Sequence, residues 1–421
     1  MGSAPIVFLT MGSDPIVFPI KEYKMKLEAV RIKNFRAFKD VEMTDIPSFC
    51  VLVGANGVGK STFFSIFGFL KDAMTTDVNH ALVKIGGVRG FQEVRSRGCH
   101  GPIEFEIKFR KDSNSPLATY TLKIDEENGR AFVALEQLRY RRGSKGQPWS
   151  FLKFEKGVGY AVTNELDSKS ISNENELTRD EQQLKSNDLL AIKALAQFQK
   201  FPVIVALGDL ITRWYVSDFH IDQARSDRDS GQIDHLSREG ENLASVLQYL
   251  QRQHPQILSR IIDRLKHRIP GVTNVEAKTT EEGRVLLKFQ DGAFEDPFLA
   301  RYVSDGTIKM LAYLILLNDP DPFPMLCVEE PENQLYPSLL AELAEEFRAY
   351  AYHGGLVIVS THSPDFLNAI ELEELFYLVK EGGYTTICRA RDDKQISAYM
   401  ADGDKLGRIW KDGLFRGVDP K

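Results

Sequence analysis

A chain of 421 residues with 43% hydrophobic and 27% charged residues can bury a sizeable core, and its formal net charge of −6 excludes a surface that holds nucleic acid through bulk positive charge. No apolar run nears the roughly 20 residues that span a bilayer, so the expectation is a soluble cytoplasmic protein with no membrane partner. The four cysteines, Cys50, Cys99, Cys327 and Cys388, lie far apart without metal-ligand spacing and read as small buried side chains in a reducing compartment.

Residues 1–24 hold a tandem repeat, Met-Gly-Ser-Ala-Pro-Ile-Val-Phe and then Met-Gly-Ser-Asp-Pro-Ile-Val-Phe, and are expected to be a dispensable leader before a folded part opening at Met25. Alternation from Leu27 to Phe35 predicts a half-buried strand, and an apolar run near Phe49–Val53 predicts a second. That strand feeds Gly54-Ala55-Asn56-Gly57-Val58-Gly59-Lys60-Ser61, a full match to the phosphate loop G-x-x-x-x-G-K-[ST]. Glycines let backbone N–H groups wrap phosphates, Lys60 reaches the β- and γ-phosphates, Ser61 holds Mg²⁺, and the helix that follows, over 62–74, points its positive end inward. Asn56, Gly57, Gly59, Lys60, Ser61 and Thr62 are thus the expected ATP contacts.

Strands are predicted over 103–109, 117–125 and 130–141, then a polar exposed loop over 163–186. Helical patterns occupy 187–200 and 241–267, the second broken at His254-Pro255, with strands near 273–279 and 284–290. No heptads persist long enough for a coiled-coil arm.

Val303-Ser304-Asp305-Gly306-Thr307 precedes an apolar helix from Met310 to Leu317. Ser304 and Gly306 at a helix N-terminus make an anion site that could serve a phosphate on another subunit, and a plain N-cap by Ser304 or Asp305 fits equally well. The strand ending Cys327-Val328-Glu329-Glu330 carries two adjacent acids: Glu329 suits a metal and Glu330 suits the attacking water, although a solvated turn after a buried strand reads the same way in isolation. A further apolar strand, Leu356 to Ser360, ends at His362, a structural histidine by default and a γ-phosphate sensor in this company.

In this order the four pieces resemble the ATP-binding cassette head of the SMC/RecF/OLD superfamily, across most of residues 25–390. Ile32-Lys33-Asn34-Phe35-Arg36 looks like its entry strand, Ser304-Asp305-Gly306-Thr307 like its signature, Glu329 to Asn333 like its Walker B and D-loop, and Ser360 to Pro364 like its switch. The resemblance implies an α/β P-loop NTPase with a mixed central sheet, an antiparallel β-subdomain and an α-helical signature lobe. It implies one head over 25–421, with an inserted lobe at about 111–240 and the signature, Walker B and switch half at about 241–390. It adds Arg36 as a nucleotide contact and Gln92 as the metal-sensing Q-loop residue, for which an exposed loop glutamine is the competing reading. The usual Gly-Leu-His after the Walker B acids is Gln334-Leu335-Tyr336 here.

Heads of this kind are Mg²⁺-dependent ATPases that dimerise around ATP, the signature of one copy completing the other's phosphate site. The expectation is therefore a switch in bacterial genome maintenance or anti-phage defence, working with itself and with a separately encoded effector such as a nuclease, because about sixty residues after His362 are too few for a fused nuclease. The competing expectation is a RecF-like DNA-loading ATPase, supported by Arg89, Arg95, Arg97, Arg139, Arg141, Arg142 and Lys145. A transporter subunit fits least, for want of its Leu-Ser-Gly-Gly-Gln-like signature.

Overall fold

A computed structural model describes residues 26–110, 115–141, 146–164, 173–225, 228–229 and 234–415, so the duplicated leader, Arg142 and Lys145 lie outside the described residues. A six-stranded sheet forms the centre, ordered Trp214–Ser217, Met325–Glu329, Leu356–Thr361, Phe49–Val53, Leu375–Glu381 and Tyr384–Arg389. The first five strands are parallel and the last is antiparallel to its neighbour. Parallel strands covered on both faces read as continuous apolar runs, and Phe49–Val53 is buried at every position. Cys50 and Leu52 point into one core while Phe49, Val51 and Val53 point into the other.

On the first face the helix Lys60–Thr75 is packed between the central sheet and an eight-stranded antiparallel sheet. Its Phe67 meets Trp214 edge to face at 5.2 Å, and its Phe69 meets Phe105 of the antiparallel sheet at 5.6 Å. The sheet runs Phe38–Thr44, Lys26–Phe35, Ile103–Arg110, Ala118–Glu127, Arg130–Tyr140, Trp149–Glu155, Val158–Val162 and Arg179–Gln183. On the second face lie the helices Leu243–Gln253, Pro255–Arg268, Asp305–Leu317 and Ser338–Tyr352 and a small sheet built on Val272–Thr279 and Arg284–Asp291. This is the mixed α/β P-loop architecture with an antiparallel subdomain that the resemblance implied.

The differences from expectation have physical causes. Arg179–Gln183 is a strand inside the expected loop, but it is an edge of wholly polar residues and carries no apolar alternation. The helix expected over 187–200 is only Ala191–Leu195, and Pro202 opens a separate helix, Pro202–Thr212. Four-residue Trp214–Ser217, buried throughout, is too short to betray itself by period. Cys50 and Cys327 are buried free thiols, whereas Cys99 and Cys388 are half-buried.

Candidate functional site

The phosphate loop, the paired acids and His362 sit at or just beyond the carboxyl ends of parallel strands, where open α/β sheets present their ligand crevice. Phe49–Val53 delivers the loop 54–59 there, and the helix beginning at Lys60 leaves it. Gly59 has φ +117°, a conformation closed to ordinary side chains, and an added Cβ would press on Thr385 and Ala37 at 3.3 and 3.4 Å. Thr385 also donates its hydroxyl to the Val58 carbonyl, so the last hairpin of the sheet braces the loop from outside. Asn56, Gly57 and Ser61 are exposed, while Gly59 and Thr62 are half-buried.

Lys60 is buried and its amine donates to the carbonyls of Gly54 at 2.8 Å and Ala55 at 3.3 Å. Burial lowers its pKa, opposed by Glu330, Glu332 and Glu329. Glu330 stands 4.0 Å away. The Ser61 hydroxyl bonds to the carboxylate of Glu329, whose pKa burial raises and that bond lowers. A hydroxyl and a carboxylate side by side are hard oxygen donors, the set Mg²⁺ takes when phosphates and water supply the remainder.

Glu330 adopts φ +43°, left-handed for a residue with a side chain, a strain of the order of 1 kcal/mol kept where surroundings over-determine the backbone. Its N–H donates to the Ser360 carbonyl at 2.9 Å, and its carboxylate accepts from Asn333 at 3.0 Å and faces His362 Nδ1 at 3.3 Å. The third acid, Glu332, is largely buried: one oxygen accepts from Thr361 Oγ1 at 2.7 Å and from the His362 N–H at 2.9 Å, and the other has no hydrogen-bond partner among the described residues. The structure thus brings Lys60, Ser61, Glu329, Glu330 and His362 together at one sheet edge.

Ser304 and Gly306 stand at the start of the helix Asp305–Leu317 and make no hydrogen bond to Lys60, Ser61 or the paired acids among the described residues. Ser304 caps the helix Asp305–Leu317, accepting from the Thr307 N–H at 3.3 Å, so the capping reading holds in cis, and Asp305 pairs with Arg225 at 2.6 Å. Gly306 is pressed against the turn after the Walker B acids: a Cβ there would lie 2.9 Å from the Gln334 carbonyl oxygen. Gln334 takes φ +66°, holding a glycine-like conformation where the resembling heads carry glycine.

Arg36, at φ +47° in the turn joining the first two strands, donates to the Ile85 carbonyl, and its neighbour Ala37 is the residue that abuts Gly59. Gln92 is exposed on the short helix Phe91–Val94 and donates to Glu126 of the antiparallel sheet, with no hydrogen bond to the loop or the acids among the described residues. Of the basic residues, Arg89 lies 3.8 Å from Glu93 and Arg95 stacks on Phe91.

Sequence reasoning missed four contributors. Asp218 and Arg238 act electrostatically on Glu329, Asp218 raising its pKa and Arg238 lowering it, and only the unrecognised strand Trp214–Ser217 brings Asp218 beside it. Thr385 comes from the last hairpin. Lys309 alone had a signal, a lysine inside an otherwise apolar helix face.

The chain belongs to the AAA_21 family of SMC/RecF-like ABC-type ATPases: residues 49–368, more than half of its length, match the family model described as "AAA domain, putative AbiEii toxin, Type IV TA system". No curated protein matches it. Among solved structures it is similar to an SMC head bound to the C-winged helix domain of ScpA, at TM-score 0.51 and 13% identity, over 86% of this chain and 96% of that one. It is also similar to the Smc head with an extended coiled coil bound to the C-terminal domain of ScpA from Pyrococcus furiosus, at TM-score 0.53 and 10% identity, over 90% and 100% of the two chains. Identities this low establish the shared fold alone. No helix among the described residues is long and apolar enough to cross a membrane.

Proposed function

We propose that this protein binds and hydrolyses ATP with Mg²⁺, closes as a dimer around the nucleotide, and passes that closure to a separately encoded effector, most simply a nuclease, in bacterial genome maintenance or anti-phage defence. The observation that carries the ATPase reading is the convergence of the Lys60 amine, the Ser61–Glu329 oxygen pair and the Glu330–His362 pair at one edge of the sheet. In this reading loop N–H groups and Lys60 hold the phosphates, and Ser61 and Glu329 hold the metal, which when bound neutralises charge on the phosphoryl oxygens. Glu330 orients the attacking water, and His362, steadied by Glu332, senses the γ-phosphate.

Dimerisation is supported by exposure. Tyr302 before the signature and Tyr336 after the Walker B turn are 70% and 73% exposed, large aromatic surfaces of the kind a partner covers. An effector is in keeping with similar heads whose structures contain a ScpA domain.

Glu330→Gln tests the reading. It should retain Mg-ATP binding and stay dimeric in ATP while phosphate release falls about 100-fold or more. Hydrolysis at the parent rate would remove Glu330 from its role. Stimulation of the parent by duplex DNA would favour the DNA-loading alternative.

A further inference from the structure

We propose that Lys309 is a positioning residue that holds the Glu330–Asn333 turn in its hydrolytic shape, tying the N-terminal half of the signature helix to the acid of its own chain. The proposal rests on the reading that Glu330 orients water. The Lys309 side chain is 4% exposed, on a helix buried from Thr307 to Leu317. Filling that space calls only for a methionine, since burying an ammonium is costly unless its hydrogen bonds are made.

The bonds are made, and they go to main chain. The amine donates to the carbonyl of Asn333 at 2.7 Å and lies 3.5 Å from that of Glu330, with the Tyr313 ring below it at 5.8 Å. Burial lowers its pKa to about 8, with Glu332 and Glu330 opposing the shift. The two gripped carbonyls lie in a segment that contains two left-handed residues, Glu330 at φ +43° and Gln334 at φ +66°. Such backbone persists only when something outside holds it. One turn earlier on the same helix, Gly306 lets the Gln334 carbonyl approach, so residues 306 and 309 bracket the turn together. A group on the signature helix therefore sets where the Glu330 carboxylate points, and displacement of that helix displaces the acid.

The test uses the full chain with Lys309→Met and Lys309→Gln, measuring kcat for phosphate release, the Kd for Mg-ATP and the melting temperature. A positioning role predicts that kcat falls about tenfold or more in Lys309→Met while Kd stays within about twofold, because the phosphate loop is untouched. Should Lys309→Met fail to fold, Lys309→Gln, which keeps one donor, is judged by the same split. Parent-like kcat, or a joint loss of kcat and ATP affinity, would overturn the proposal. The Glu330→Gln control separates the two claims: if that variant turns over like the parent, the reading of Glu330 fails regardless of Lys309.

Discussion

Gly306→Ala distinguishes a signature turn that supports its own chain's acid from one that serves only a partner's phosphate. The new Cβ would lie 2.9 Å from the Gln334 carbonyl oxygen, about 0.4 Å inside the closest comfortable carbon–oxygen contact. The turn has little slack: Lys309 holds the Asn333 carbonyl at 2.7 Å, and the Leu335 N–H is tied to Glu332 at 3.1 Å. Overpacking of this kind costs about 1 kcal/mol, and alanine in a helical first turn returns about 0.5–1 kcal/mol over glycine, so stability should move by less than about 1 kcal/mol. Catalysis is more sensitive, since misplacing a reacting group by about 1 Å costs about 100-fold, and a shift of several tenths of an ångström should lower kcat by about tenfold. Denaturant unfolding and steady-state phosphate release measure the two effects. The decisive assay mixes Gly306→Ala with Glu330→Gln chains under exchange conditions. Damage in cis leaves no intact site in the mixed dimer and no recovery of activity. If Gly306 acts only in trans, the intact Glu330 of one chain faces the intact Gly306 of the other, and activity rises several-fold above either variant alone. That recovery would refute the cis argument.

Lys60→Ala should fold normally, because it removes a buried amine whose charge is already disfavoured, and should weaken Mg-ATP binding by about 10- to 100-fold, the worth of a charge-assisted bond to phosphate. Calorimetric titration that gives an unchanged Kd would contradict the assignment. Away from the site, the fully buried Glu136 accepts from Tyr120 at 3.0 Å and from the N–H groups of Ala191 and Ile192. Burial is the larger influence and raises its pKa from 4.5 to about 7. A folded pKa above the unfolded one means a stabilising contribution that is complete below pH 4.5 and lost as pH rises through about 7. The stability of the parent minus that of Glu136→Gln should therefore fall by up to about 3 kcal/mol between pH 5 and pH 8 in denaturant titrations, and a pH-independent difference would show that Glu136 is ionised throughout.

What could be read from the sequence depended on whether a feature is contiguous. The phosphate loop, the paired acids and the strand before His362 each carry their chemistry within a few residues, and the strand Phe49–Val53 has the boundaries its apolar run indicated. Features made by pairing distant segments were not legible. Asp218 acquires meaning only because Trp214–Ser217 lies beside Met325–Glu329, and nothing local to four buried residues announces that neighbour. Gly306 shows the same limit from the other side. Its place in the motif suggested an anion site, yet the neighbour that a side chain there would press on is a carbonyl 28 positions later.

Lys309 lies between these cases and indicates how such residues can be found. Burial alone disfavours an ammonium within the run Thr307 to Leu317, every residue of which is buried. A charge kept in such a run must be matched by buried acceptors, and in a helix starting at the signature the acceptors within reach belong to the turn after the Walker B acids. Bonding to backbone carbonyls rather than to one carboxylate fits a group that must fix the shape of a turn. A carboxylate partner can swing with its side chain, whereas a gripped peptide carries Glu330 with it. The local rule that this sequence breaks at Lys309 thus coincides with the proposed link between the helix Asp305–Leu317 and the Glu330–Asn333 turn.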